Sequence, residues 1–431
     1  MLIPLIPSAK INSTWRLSYG YSCCMKIIRF AFLFISVSGF AQTKILFDAN
    51  KAQMCSNADW VIDADVFNLG LGSGGIMQAG QSNEANPAKT PTPAQSGITQ
   101  STPETYWDGA LSAWAVDLVK LGYTVETLPY NKTITYGNTS NAQDLSNYKV
   151  FISDEPNILF SAAEKTAFMQ FVQNGGGLFM IGDHTGSDRN FDGFDSPQIW
   201  NDLMNNNTVQ VHPFGMSFDS TDYSQTSSNV ANLPSDSCLH NAAIGNVTQI
   251  KISGGSTLTL STSQNNSVRG LIYKTGASNS GSTNAFFARA RFGTGKVAAL
   301  TDSSPPDDGT GDPNDNLYFS YTGEANGNHR VLLLNTTIWL AAVETPSAVN
   351  EVNKEETAFE IYPNPVHAEN LQVKINDGLL GQKLTVVSTE GRIVFAETIN
   401  TNLTTIPFSE FSTGIYFLRI GEVTKKLVHL F

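Results

Sequence analysis

The stretch from Gly182 to Ser196, GDHTGSDRNFDGFDS, sets the side chains of Asp183, His184, Asp188, Asp192 and Asp195 close together, with Arg189 and Asn190 among them. Gly182-Asp183-His184-Thr185-Gly186 has the spacing of a nucleophile elbow, with His184 where a nucleophile would stand. Imidazole is a weak nucleophile but suits proton transfer or metal ligation, and a buried structural histidine is the plainer alternative. Farther along, Asp188-x-Asn190-x-Asp192-Gly193 repeats the first half of a calcium loop. Oxygen ligands fall at alternate positions, a glycine allows the tight turn, and the Phe194 carbonyl comes next. The twelfth position is Ile199, where an EF-hand needs a bidentate Glu, so Asp195, Asp202 or another loop would have to complete the shell. A plain Asx-turn loop accounts for the same residues without an ion.

Such side chains act only if regular elements bring them together. Continuous apolar runs at Lys44–Asp48, Tyr123–Leu128, Lys149–Ser153, Leu178–Ile181 and Val297–Leu300 read as buried strands. Helices are predicted over Thr105–Leu121 and Arg330–Ala342, and a third begins at Ser161, where Ser161 and Glu164 form a capping box, and stops at Asn174-Gly175-Gly176-Gly177. Strands alternating with helices predict an α/β fold, a doubly wound, flavodoxin-like parallel sheet. Polar insertions at 69–102 and 205–283 are too long for simple connections and should cover an edge or a site. Within the second, strands are expected at Val209–Val211, Ile250–Ile252 and Leu258–Leu260.

Ligands of open parallel sheets bind beyond the carboxyl ends of the strands. Asp48, Asp154, Asp183 with His184, and Asp302 each end a predicted strand, so four strands deliver an acid to one edge. Aspartate is also a common turn and cap residue, which would explain one or two of them. Carboxylates so placed repel unless a proton or a cation intervenes, and a divalent cation, calcium in particular, is the simplest remedy. His329, after the acidic loop at 302–316, is a candidate second imidazole. There is no H-E-x-x-H, no paired C-x-x-C and no G-x-x-x-x-G-K-S/T, so neither a zinc signature nor a phosphate loop is present.

The ends of the chain speak to its address. Met25-Lys26-Ile27-Ile28-Arg29, the apolar run that follows and the small residues Gly39 and Ala41 before Gln42 read as an export signal, too short to be a permanent membrane span. Residues 1–24 read as an upstream extension, so 1–41 are set apart from the fold. Two cysteines remain, Cys55 and Cys238, which an oxidising compartment could join or leave apart. A formal charge of -12 over 431 residues argues against nucleic acid as a partner, since phosphate binding needs clustered Lys and Arg. Residues 344–357, acidic and poor in bulky apolar side chains, read as a linker between a domain at 43–343 and alternating short strands at 358–431 that predict a small β-sandwich.

Two resemblances sharpen these expectations. The YPNP opening at Tyr362, the STEGRIV turn, the STGIYFLRI strand and the terminal KKLVHLF resemble the type A C-terminal sorting domain of the type IX secretion system of Bacteroidota. That resemblance implies passage across the outer membrane on the secretion machinery, then release or attachment at the cell surface. VFISDEPN, NGGGLFMIGDH and ARARFGTGKVAALTDSS, in that order, resemble class I glutamine amidotransferase-like domains. Those enzymes carry Cys in the turn where this chain carries His184, and neither Cys55 nor Cys238 lies in such a turn, so amidotransfer is not expected. Two functions stay open. One is an exported hydrolase in which Asp48, Asp154, Asp183, His184 and Asp302 hold a divalent ion or act as acid and base, on a glycan, peptide or phosphoester. The other is a non-catalytic surface protein whose loops calcium rigidifies through Asp188, Asn190, Asp192, Phe194 and Asp195, binding a polysaccharide or a protein.

Overall fold

The computed structural model describes residues 42–55, 58–63, 93–130, 132–311, 318–343, 359–367, 370–389, 391–421 and 423–430. Residues 1–41, read as an upstream extension and export signal, residues 344–357, read as a linker, and most of the first polar insertion lie outside them. The chain divides into two compact units, one ending at Ala341 and one beginning at Ala342.

The first unit alternates as its apolar runs require. Strand β1 (Lys44–Asp48) leads to α1 (Ser112–Lys120) and β2 (Thr124–Leu128), then to β3 (Val150–Asp154), α2 (Ala162–Gln173) and β4 (Gly177–Ile181). After α3 (Ser196–Asn205) come short strands β5 (Met216–Phe218), β6 (Ser224–Ser227), β7 (Asn229–Val230), β8 (His240–Asn241), β9 (Gly245–Asn246), β10 (Ile250–Ser253), β11 (Leu258–Leu260) and β12 (Arg269–Tyr273). Strands β13 (Ala285–Phe292) and β14 (Gly295–Leu300) and helix α4 (His329–Ala341) complete the unit.

The main sheet runs β2-β1-β3-β4-β14-β13-β11-β5, with β12 on β13 and β7 on β12. From β2 to β14 every pairing is parallel; from β14 outward every pairing is antiparallel. The sheet is therefore mixed rather than wholly parallel. The reason lies just after the second insertion: β13 joins β14 through a two-residue turn, and only antiparallel strands can be joined so tightly.

The helices cover both faces of the parallel half. Trp114 of α1 meets Phe47 of β1 and Phe179 of β4 edge to face, at 5.4 and 5.7 Å between ring centres. Phe168 of α2 meets Phe151, one residue out of phase along β3, at 5.0 Å, and so lies on the opposite face. Helix α2 starts as expected: Ser161 Oγ accepts from the Glu164 amide at 3.3 Å and Glu164 Oε2 from the Ser161 amide at 2.8 Å.

Two local expectations are corrected, and one question the sequence left open is decided. Residues 209–211 form no strand; Val209 and Val211 are exposed and the nearest strand is β5. Helix α1 begins at Ser112, because 105–111 is held in turns by Ser112 Oγ donating to the Glu104 carbonyl and accepting from the Trp107 amide. No bridge joins Cys55 and Cys238, a pairing the sequence left open, since each is buried in a separate apolar cluster.

In the second unit all the pairings between strands are antiparallel. Strands β15 (Phe359–Tyr362), β16 (Asn370–Ile375) and β19 (Leu403–Pro407) make one sheet; β17 (Lys383–Ser388), β18 (Ile393–Thr398), β20 (Gly414–Ile420) and β21 (Val423–His429) make another. Alternate residues Leu371, Val373 and Ile375 of one sheet and Leu384, Val386, Leu418 and Ile420 of the other share one buried cluster. This is the expected β-sandwich.

Candidate functional site

Register places the acids. Asp154 pairs with Ile181 across β3 and β4, and Leu300 pairs with Ile181 across β14 and β4. The residues that follow, Asp183 and Asp302, therefore leave the sheet beside Asp154, at its carboxyl edge. The loop after β4 is fixed at both ends of its glycine pair. A Cβ at Gly182 would come within 2.8 Å of the Phe218 ring, and Gly186 has φ +79, which favours glycine.

Asp183 and His184 form a pair, with His184 Nδ1 at 2.9 Å from Asp183 Oδ2. Burial alone would raise the Asp183 carboxyl, but His184 and Arg189 together hold it below its ordinary value. The hydrogen bond to Asp183 in turn pushes His184 up to about 9, so the imidazole is charged at neutral pH. That state suits a proton donor.

Behind the pair lies a group that the sequence reading passed over. Glu155 is fully buried with φ +42, a backbone conformation that non-glycine residues seldom adopt. Arg189 grips it through Nε at 2.6 Å and Nη2 at 2.9 Å, Trp60 Nε1 donates to it at 2.5 Å, and Ser187 Oγ donates as well. Arg189 Nη2 also stands 3.7 Å from Asp183 Oδ2, tying the two carboxylates together. Arg189 is the one arginine or lysine between Gly182 and Ser196, and that is the available signal. Nothing in the sequence marks the conformation of Glu155.

Asp154 is 1 % exposed and neither of its carboxylate oxygens has a hydrogen-bond partner. Burial, then Glu155, Asp183, Asp302 and Asp307, drive its carboxyl well above the ordinary range. Asp302 is buried too, but its oxygens accept from the amides of Ser253 at 2.6 Å and Ser304 at 3.0 Å, and from Ser304 Oγ at 2.9 Å. Burial first, and Asp183 next, push it up to about 7. A cavity of about 320 Å³ opens beside this edge, lined by Asp183, His184, Arg189 and Tyr318 among others, with Asp154 and Asp302 set back from it.

Asp48 lies at the same edge but does not line that cavity. It accepts from Ser153 Oγ at 2.8 Å, Gln53 Nε2 at 3.0 Å and the Asn50 amide at 2.9 Å, and burial raises it to about 6. His329 is not brought to the crevice. Its ring is buried between backbone groups of Lys251 and Ser320, and burial lowers its pKa.

The loop from 188 to 195 closes on itself. Asp188 accepts from the amides of Asp192 and Gly193 at 3.1 and 2.7 Å, and Asp192 from the Phe194 amide and Asn190 Nδ2, each at 3.0 Å. Asp195 caps α3, accepting from the Gln198 amide at 2.9 Å, and also accepts from the Gly186 amide at 2.7 Å. Asn190 Oδ1, by contrast, is buried without a partner. Among the described residues, no group of three or more His, Cys, Asp or Glu side chains is arranged to hold a metal ion. Asp183 Oδ2 and both oxygens of Asp302 are already engaged, whereas both oxygens of Asp154 are unpartnered.

An α/β unit with an acid-and-imidazole edge, followed by a β-sandwich, is thus the class of protein defined here. Residues 360–430 match the family described as the secretion system C-terminal sorting domain. The chain is accordingly exported, to the cell surface or beyond it, by the type IX secretion machinery, its partner in that step. No helix among the described residues is long and apolar enough to cross a membrane. No curated protein matches the sequence. Solved structures similar to it include the mmIFT52 N-terminal domain, at 14% identity and TM-score 0.35 over 53% of this chain and 89% of that one. A β-galactosidase from Bacillus circulans sp. alkalophilus matches at 11% identity and TM-score 0.29, over 69% of this chain and 36% of its own. A ThuA-like protein from Parabacteroides merdae matches at 13% and 0.28, over 59% and 91%.

Proposed function

We propose that the first unit is an exported hydrolase of flavodoxin-like, amidotransferase-like fold that works by acid and base catalysis at the edge of β3, β4 and β14. The observation that carries this reading is the Asp183–His184 pair on the cavity, backed by the buried, unpartnered carboxyl of Asp154. Perturbed acids gathered at a concave strand edge are what proton-transfer chemistry needs. Asp302, poised near neutrality but set back from the cavity, takes a proton from the attacking water through Ser304, whose hydroxyl bonds its carboxylate and which lines the cavity. The water oxygen bonds to the substrate's electrophilic atom, and the bond to the leaving group breaks as His184 hands it the Nε2 proton. Asp183 keeps His184 charged and oriented until then. No step passes through a metal ion.

Replacing His184 with Gln keeps a donor for Asp183 but removes the transferable proton. The variant is expected to lose about 100-fold or more in turnover while remaining folded by circular dichroism. Unaltered turnover in a purified-protein assay on glycan, peptide and phosphoester substrates rules the reading out.

A second reading, a non-catalytic surface binder held rigid by calcium, is favoured by the unpartnered Asn190 Oδ1. An ion there would use Asn190 with Asp188, Asp192 and the Phe194 carbonyl, and Asp195 only by giving up its cap. Differential scanning calorimetry in EGTA separates the readings. The hydrolase reading expects the same melting temperature with and without chelator; a drop of several degrees that calcium restores supports the binder.

A further inference from the structure

The mouth of the cavity carries a feature that proton transfer does not use. Phe191 and Tyr318 both line it, and they are 67% and 42% exposed. Phe191 moreover has φ +55, a strained backbone for a bulky aromatic residue that gains almost no burial in exchange. The remaining surface is polar: Ser187, Ser253, Ser303 and Ser304 line the cavity together with Asp183, Asp188, His184 and Arg189.

A ligand that fits must offer an apolar face to the rings and many hydroxyl groups to the floor. An anionic group is not favoured, because Arg189 is engaged by Glu155 and His184 by Asp183, which leaves no surplus positive charge. An apolar protein anchor would want an apolar pocket, and this floor is polar. A sugar ring meets both demands, with C–H bonds on one face and hydroxyls around its edge. The volume, about 320 Å³, lies at the small end of ligand pockets, about 300–1,000 Å³, and suits one residue of a chain more than a long oligomer.

We infer that the cavity takes a single pyranose unit of an extracellular glycan, stacked on Phe191 and Tyr318 with its hydroxyls on the serines. This rests on the cavity being the substrate site proposed above. The test uses the full chain carrying His184→Gln, so that binding is read without turnover. Saturation-transfer NMR is run with neutral disaccharides of glucose, galactose, mannose and xylose, and with a tripeptide set and phenyl phosphate as competitors in class.

At least one disaccharide is expected to receive saturation on the C–H protons of one ring face. Phe191→Asn, which tolerates the left-handed backbone, should weaken that binding about tenfold with an unchanged circular dichroism spectrum, and Tyr318→Ala should do likewise. Binding of no sugar, or sugar binding indifferent to both substitutions, overturns the inference, as does exclusive binding of a peptide or of phenyl phosphate. Sugars that bind through Phe191 but are never cleaved by the unsubstituted protein support this inference while removing the hydrolase reading. Cleavage of a peptide or phosphoester without sugar binding does the reverse.

Discussion

At the scale of single residues, the site turns on where charge is held. His184 and Asp183 are neighbours in sequence, and their side chains meet because the turn after β4 folds the imidazole back onto the carboxylate. The pairing raises the imidazole from an ordinary 6.5 to about 9, while burial and the crowding of acids keep Asp154 well above the carboxylate range. Titration of the His184 ring by heteronuclear NMR should therefore show a midpoint near 9, falling towards or below the ordinary value in Asp183→Asn. A midpoint unmoved by that substitution would show that the pair does not control the proton. Glu155 matters here without touching the cavity, since it fixes Arg189, and Arg189 stands against Asp183.

At the scale of elements, the reactive loop is positioned by the helix that follows it. Asp195 caps α3 and at the same time receives the Gly186 amide, so one carboxylate joins the helix start to the turn carrying His184. Ser196 Oγ, one residue on, accepts from the Asp183 amide at 2.8 Å. Asp195→Ala is expected to cost about 1 kcal/mol, the usual loss of a side-chain cap, measured by urea unfolding. If α3 anchors the site, the same variant should also broaden or shift the His184 resonance; a stability loss with that resonance unmoved would confine Asp195 to capping. The capping box at Ser161 and Glu164 was readable from spacing alone because both partners lie within one turn. The start of α1 was not, because Ser112 is held by Glu104 and Trp107 in a turn that periodicity does not register.

At the scale of the whole molecule, the buried acids shape stability against pH. Burial raises Asp302 to about 7 and Asp48 and Asp308 to about 6 from an ordinary 3.8. The folded chain then holds protons that the unfolded chain has released, so their contribution is complete below about pH 4 and is lost as pH rises through 6 to 7. His184, raised to about 9, adds a loss of the same sign between 6.5 and 9. Asp144 acts the other way. Despite its burial, bonds from Ser146 and Thr135 lower it to about 2, and its contribution fades only as pH falls from about 4 towards 2. Melting temperature is thus expected to be higher at pH 5 than at pH 8; the opposite order would mean that the acids are ionised in the fold, as an occupying cation would make them.

Apart from α3, the sequence by itself determined the order of strands and helices in the parallel half, the β-sandwich of the second unit and the delivery of acids to strand ends. Each of these depends on local periodicity or on residues a few positions apart. Only the tertiary structure decided which acids meet. Asp154, Asp183 and Asp302 come together because β4 lies between β3 and β14, whereas Asp48 is drawn into bonds with Ser153 and Gln53. It also turned the outer half of the sheet antiparallel, separated Cys55 from Cys238, buried His329 away from the crevice and brought Glu155 to Arg189. The burial of His329 against Lys251 and the pairing of Glu155 with Arg189 join residues far apart along the chain, and no pattern within either partner's own segment records the other.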